Sequence, residues 1–286
     1  MATAPHVRLT LPNRPENVLV VRQALSGLAA RLGLDAIETN DLNTAVTEAC
    51  NNVAMHAYEG EEGPLEVDVD VLDGALAVLV RDQGVGIETH RRVGGASSEH
   101  RTAGGGMGLA VIDALAEHAE FLEPAGGGTE VRMEFPAPDD SVLPPVHADG
   151  DGPDAGTAAD GSSAIALSVA AGALAQAVLP RVLSALAVRA HFTTDRISDV
   201  QLVADVLAAN AGDSLGASRL AVGVSIAPRV LDLRFGPFQA GRGASMIAAA
   251  ADGLAPVIER LTDSARVAPA GSGATETLEL RLVDRH

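Results

Sequence analysis

The chain has 286 residues, more than one average domain, and 47% are apolar, which excludes a mostly disordered protein. Aromatics are only 2% and tryptophan is absent, so the cores are Ala/Val/Leu packing; all 20 basic residues are arginine, which excludes a lysine-dependent P-loop phosphate cradle. A net charge of −18 opposes contact with nucleic acid or an anionic membrane, and suits a basic protein partner or solubility through self-repulsion.

In chain order, VRLTL from Val7 alternates as a strand. Between Pro15 and Leu32, Val18, Val21, Leu25, Leu28 and Leu32 recur at helical spacing, with Pro15 and Glu16 suited to a first turn. A second helix, from about Asp35 to Tyr58, carries Leu42, Val46, Ala49 and Val53 on one face. PLEVDVDV then alternates Leu65, Val67, Val69 and Val71 against Glu66, Asp68 and Asp70, which predicts one buried and one wet sheet face. LAVLVRD follows as its partner strand, a glycine-rich segment opens a helix near Met107, and two strands finish near Phe135. Strands in one layer and helices in the other predict an α/β two-layer sandwich.

Residues 136–163 read PAPDDSVLPPVHADGDGPDAGTAADGSS, with almost nothing to bury. This is an acidic linker, and it sets expected domains at 1–137 and 163–286 with 138–162 between them. The uncharged run from Ala164 to Leu179 is short of the ~20 residues that cross a bilayer, and it contains Gln176, so it is expected to be a buried soluble segment. The single cysteine, Cys50, fits a reducing compartment, and the N-terminus shows no basic-then-apolar leader; both point to a cytoplasmic protein.

The two halves resemble each other. At an offset of 158, set by Asp41 and Asp199, DLNTAVTEACNN lies over DVQLVADVLAAN and VLVVRQALSGL over QAVLPRVLSAL. At 146, set by Thr129 and Thr275, VIDALAEHAEF meets VIERLTDSARV and GGGTEVRMEF meets SGATETLELR. Blocks in the same order, differing in loop length, predict the sandwich duplicated in tandem.

Glu48 and Asn52 stand at i and i+4 on the second helix, with His56 one turn on. A polar solvated face explains that row equally well. Asp82, Gly84 and Gly86 follow an apolar strand as Asp-x-Gly-x-Gly, where glycines admit close approach to the backbone; any tight turn has the same look. Gly104, Gly105, Gly106, Met107, Gly108 and Leu109 open a helix, whose free amides and dipole suit an anion, although a hinge is also often glycine-rich. Thr129 begins the last strand.

The ordered set TEACNNVAMHAYEG, VRDQGVGI, GGGMGLAVI and GGGTEVRMEF resembles the GHKL-type (histidine-kinase-like) ATPases, in their anti-sigma factor/serine-threonine kinase branch, over about Val7 to Pro136. The resemblance implies that the site binds ATP, that Asn52 ligates Mg²⁺ and that Glu48 is the base for a substrate serine or threonine hydroxyl. It implies that Asp82 accepts from the adenine amino group with Thr129 nearby through water. Gly84 and Gly86 would admit the base, and the Gly104–Gly108 loop would wrap the phosphates under a lid at 88–103. Many relatives carry a phosphate-facing lysine three residues after the asparagine; Met55 stands there, which leaves His56 or Arg101 to take its part.

Across the repeat Glu48 becomes Val206, Asn52 stays as Asn210, Asp82 falls on Phe235 and Gly84 on Pro237, so the second copy is expected to be a pseudo-ATPase domain. Since kinases of this branch work as dimers, that copy is expected to act as an intrachain pseudo-dimer partner in a monomeric chain. The function expected is phosphorylation of an anti-sigma factor antagonist-like protein in a partner-switching pathway, with a sigma factor as a second partner. The alternative is an ATP-dependent protein-binding scaffold without kinase activity. A histidine-kinase module ranks last, because nothing resembles a phosphoacceptor hairpin.

Overall fold

The computed structural model describes residues 5–85, 107–138, 165–248, 256–270 and 275–285, together with Leu143 and Val146. The chain forms two compact units: Arg8–Pro144, and Pro145–His286 with Met1–Val7.

In the first unit, strand β1 (Val7–Pro12) leads through a 3-10 turn at Pro15–Asn17 into helix α1 (Val18–Leu32). The chain leaves α1 through Gly33 at φ 74, a left-handed stop that glycine takes without strain. Helix α2 (Ala36–Asn52) starts from a capping box. Asp35 Oδ1 accepts from the Ile37 and Glu38 amides at 2.7 and 2.8 Å, and Glu38 Oε2 accepts from the Asp35 amide at 2.7 Å. Such a cap is worth about 1 kcal/mol. The helix expected to run to Tyr58 instead loosens into a π turn at Val53–Ala57.

Strands β2 (Pro64–Leu72) and β3 (Ala75–Asp82) form an antiparallel hairpin, followed by helix α3 (Met107–Leu115) and strands β4 (His118–Leu122) and β5 (Glu130–Pro136). Their order in the sheet is β1-β2-β3-β5-β4. Helix α2 packs on β3 and β5 and touches both α1 and α3, so helices lie over one face of the sheet. The core is aliphatic: Leu28, Leu42, Val46, Leu65, Val67 and Leu76 are all fully buried. On the other sheet face the expected wet row is partly covered. Asp68 is 9% exposed because Arg8 clamps it with two bonds, 2.6 and 2.9 Å, and Arg81 approaches to 3.6 Å. A carboxylate leaves water only with such partners.

The second unit holds β6 (Ile165–Ala170), α4 (Ala173–Arg189), α5 (Thr194–Ser214), β7 (Arg219–Ala227), β8 (Val230–Gln239), α6 (Arg242–Ile247), α7 (Val257–Leu261), β9 (Ser264–Ala270) and β10 (Thr275–Val283). The uncharged run at 164–179 thus becomes a strand and the start of a helix, and no helix among the described residues is long and apolar enough to cross a membrane. The strand order here is β6-β7-β8-β10-β9, the order of the first unit taken in chain sequence. Val206 follows its helix cap, Thr193, by as many residues as Glu48 follows Asp35. His191, at φ 60, turns left-handed after α4 as Gly33 does after α1.

Candidate functional site

The first cluster is built where α3 meets α2. Gly108, in the first turn of α3, lies so close to α2 that a Cβ there would stand 2.9 Å from Glu48 Oε2. It would stand 3.5 and 3.7 Å from Asn52 Oδ1 and Nδ2. Glycine leaves those two side chains undisturbed at that approach. The amide-rich start of a helix is therefore presented to a carboxylate and a carboxamide one helical turn apart. Glu48, Asn52 and Leu109 are part-buried.

The second cluster closes on Asp82, at the end of β3 and 6% exposed. Its Oδ1 accepts from the Gly84 amide at 2.8 Å and the Thr129 amide at 3.2 Å, while its own amide donates to Thr129 O at 3.0 Å. Two amides on one oxygen hold the carboxylate in a fixed orientation. Gly128, at φ 83, brings the chain so near that a Cβ would overlap the Asp82 carbonyl.

The π turn joins the clusters. Loosening the helix after Asn52 delivers the Ala57 carbonyl to the Asp82 loop, where it accepts from the Val85 amide at 2.9 Å. A Cβ on Gly84 would overlap that same carbonyl oxygen. π turns inside helices are frequent at functional positions. The regular i, i+4 row therefore ends at Asn52; His56 and Met55 stand on the π turn, both exposed, Met55 at 61%.

Sequence reasoning did not find Tyr58. Its hydroxyl donates to Pro64 O at 2.5 Å and accepts from the Gln83 amide at 2.8 Å. Burial pushes the phenol up, with the Gln83 amide acting the other way and the charges of Asp82 and Glu66 adding to the rise. The hydroxyl therefore keeps its proton at neutral pH. The one signal was that Tyr58 is the chain's single tyrosine, inside the polar box after Glu48.

Gly86, Arg101, Gly104, Gly105 and Gly106, the segment 88–103 and the side chain of Met107 lie outside the described residues.

In the second unit Val206 is 6% exposed and so belongs to the core. Asn210 is exposed and turns back on its own helix, Nδ2 donating to Val206 O at 2.7 Å. Counted in residues from the hairpin turns, Phe235 stands level with Val80 and Pro237 with Asp82. Phe235 and Phe238 are fully buried and Met246 is 2% exposed, so apolar side chains fill this end of the unit.

A model of the histidine kinase-like ATPase domain matches residues 11–135. The serine-protein kinase RsbW of Bacillus licheniformis is 33% identical over 130 residues, 43% of this chain and 81% of the relative. The RsbW of Bacillus pumilus (strain SAFR-032) is 33% identical over 140 residues, 46% of this chain and 85% of the relative. That of Bacillus subtilis (strain 168) is 31% identical over 130 residues. The chain belongs to the histidine kinase-like ATPases, in their anti-sigma factor/serine kinase branch.

In this branch of the histidine kinase-like ATPases, the two clusters are the stretches that carried the resemblance. The donor set also suits its nucleotide: a carboxamide oxygen is a hard ligand of the kind Mg²⁺ accepts, beside helix amides that suit phosphate.

Proposed function

We propose that the first unit binds Mg·ATP and transfers its γ-phosphoryl group to a serine or threonine of an antagonist-like protein in a partner-switching pathway, with a sigma factor as the second partner, which the chain sequesters. Asn52 would hold the Mg²⁺, which would neutralise phosphate charge. Glu48 takes the proton of the attacking hydroxyl. The first amides of α3 address phosphate oxygens, and the fixed carboxylate of Asp82, with Thr129 beside it, accepts from the adenine amino group. Phosphoryl transfer asks mainly for positioning and charge stabilisation, which these residues supply.

The observation that carries this reading is the seat of Gly108 against Glu48 and Asn52, with Cβ space of 2.9 and 3.5 Å. It brings a carboxylate, a carboxamide and a helix N-terminus around one point, which supports those roles. Glu48→Ala tests it: transfer from radiolabelled ATP to the antagonist should fall at least 100-fold, while ATP affinity stays within about threefold, as general-base loss without binding loss requires. Equal transfer by wild type and variant rejects the role of Glu48.

One observation favours a second reading, an ATP-gated scaffold. Met55 is 61% exposed where many relatives place a lysine, so that position offers phosphate no charge. Complex formation that needs ATP but yields no phosphoprotein selects the scaffold.

The second unit is proposed to be a degenerate copy of the domain, occupying 163–286 after a linker at 138–162. The common strand order and the equal spacing of Glu48 and Val206 from their helix caps support it. Valine at the base position and proline at the adenine position support the absence of a nucleotide site. In the proposed account the chain is a monomer with one ATP site and works in the cytoplasm.

A further inference from the structure

One hydroxyl ties the end of the α2 segment to both sides of the Asp82 loop. Tyr58 OH reaches Pro64 O, at the start of β2, and the Gln83 amide, directly after Asp82. The ring has a seat of its own: a Cβ on Gly63 would overlap it, so glycine there makes room for the phenol. Gly63 is in turn anchored to Asn13, whose Oδ1 accepts the Gly63 amide at 2.9 Å and whose amide donates to Gly63 O at 2.9 Å. The ring therefore stands on a braced loop, and its hydroxyl is a fixed point for the next turn.

That turn is the one that aims Asp82. Its Oδ1 is set by the amides of Gly84 and Thr129, and the amide lying between Asp82 and Gly84 is the one Tyr58 holds. Rotation of the Gln83 peptide would carry Gly84 N away from Oδ1 and release a bond that orients the carboxylate.

We propose that Tyr58 is a positioning residue for base recognition, its hydroxyl holding the Asp82–Gly84 turn in the geometry that reads the adenine amino group. This rests on the ATP-site reading above. Tyr58 touches neither base nor phosphate and acts only through Asp82.

Two nucleotides separate this from a general structural role: ATP, and inosine triphosphate, which has an oxo group in place of the adenine amino group. Titrating both, with Mg²⁺, into the full-length wild type and Tyr58→Phe gives the answer. Removing one hydroxyl that orients a buried acceptor should weaken ATP about 5- to 10-fold, leave inosine triphosphate within about twofold, and so shrink the preference between them. The melting temperature should move by only a few degrees, because the ring keeps its seat. Gly63→Ala keeps the hydroxyl but drives the ring off that seat, and should produce the same selective loss. Parallel weakening of both nucleotides, or an undiminished preference for ATP in both variants, overturns the inference while leaving the site reading intact. A wild type that binds no Mg·ATP overturns the site reading, and the inference with it.

Discussion

Gly108→Ala separates a nucleotide site from ordinary helix packing. The added methyl would lie 2.9 Å from Glu48 Oε2, inside normal contact distance, and 3.5 Å from Asn52 Oδ1, at its edge. The tighter of these neighbours is the tip of a flexible side chain, which can swing aside. The fold therefore loses little, and exchange of glycine for alanine in a helix returns about 0.5–1 kcal/mol. Net stability should stay within about 1 kcal/mol of wild type, a shift of roughly 3–5 °C for a unit of this size. Function should not be spared. Glu48 displaced by several tenths of an ångström is no longer aligned with the hydroxyl it deprotonates, and misplacement on the ångström scale costs about 100-fold in rate. Thermal unfolding of wild type and variant, followed by phosphotransfer at saturating Mg·ATP, gives both numbers. A variant that melts normally and transfers phosphate at the wild-type rate refutes the placement of chemistry at this contact. Loss of more than about 10 °C refutes the claim that Gly108 serves the site rather than the core.

Gly84→Ala has the opposite character, because its methyl would overlap a backbone oxygen, that of Ala57, which cannot rotate away. Overpacking of this kind costs about 1–3 kcal/mol, and loss of the Val85 to Ala57 bond adds about 1 kcal/mol; urea titration should show a midpoint shift of that size, and an unchanged midpoint contradicts the packing described. Cys50 is fully buried and burial pushes its thiol up to about 12, from 9.0. A thiol reagent at pH 8 should leave it unmodified until the protein unfolds. Because the unfolded chain gives up this proton near pH 9 and the folded one near 12, this residue's contribution to stability is present below 9 and falls as pH rises between the two values. Prompt labelling of the native protein contradicts that burial.

Much of the architecture was legible because its periodicities are strict. Leu42, Val46 and Ala49 mark the buried face of α2, which starts after Asp35 as expected. Leu65, Val67, Val69 and Val71 fix the register of β2. What lay beyond the pattern arises from tertiary contact. Val53 continues the apolar stripe, so nothing local announces the π turn; the turn exists because the Ala57 carbonyl meets Val85 and Gly84. Asp68 reads as a wet residue by alternation and is buried because Arg8, distant in sequence, arrives beside it. Tyr58 lies in a motif whose polar members drew attention, yet its role depends on two backbone groups, of Pro64 and Gln83, that carry no sequence signature. The pairing of Glu48 with Asn52 was visible from helical spacing, while their meeting with Gly108 depends on how α3 packs on α2.

The central claim is a single ATP site in the first unit, and calorimetric titration of the full chain with Mg·ATP tests it most directly. The account predicts one site per chain, abolished by Asp82→Asn and by Asn52→Ala and retained by Glu48→Ala. Two sites per chain, or one site that survives loss of Asp82, would contradict it.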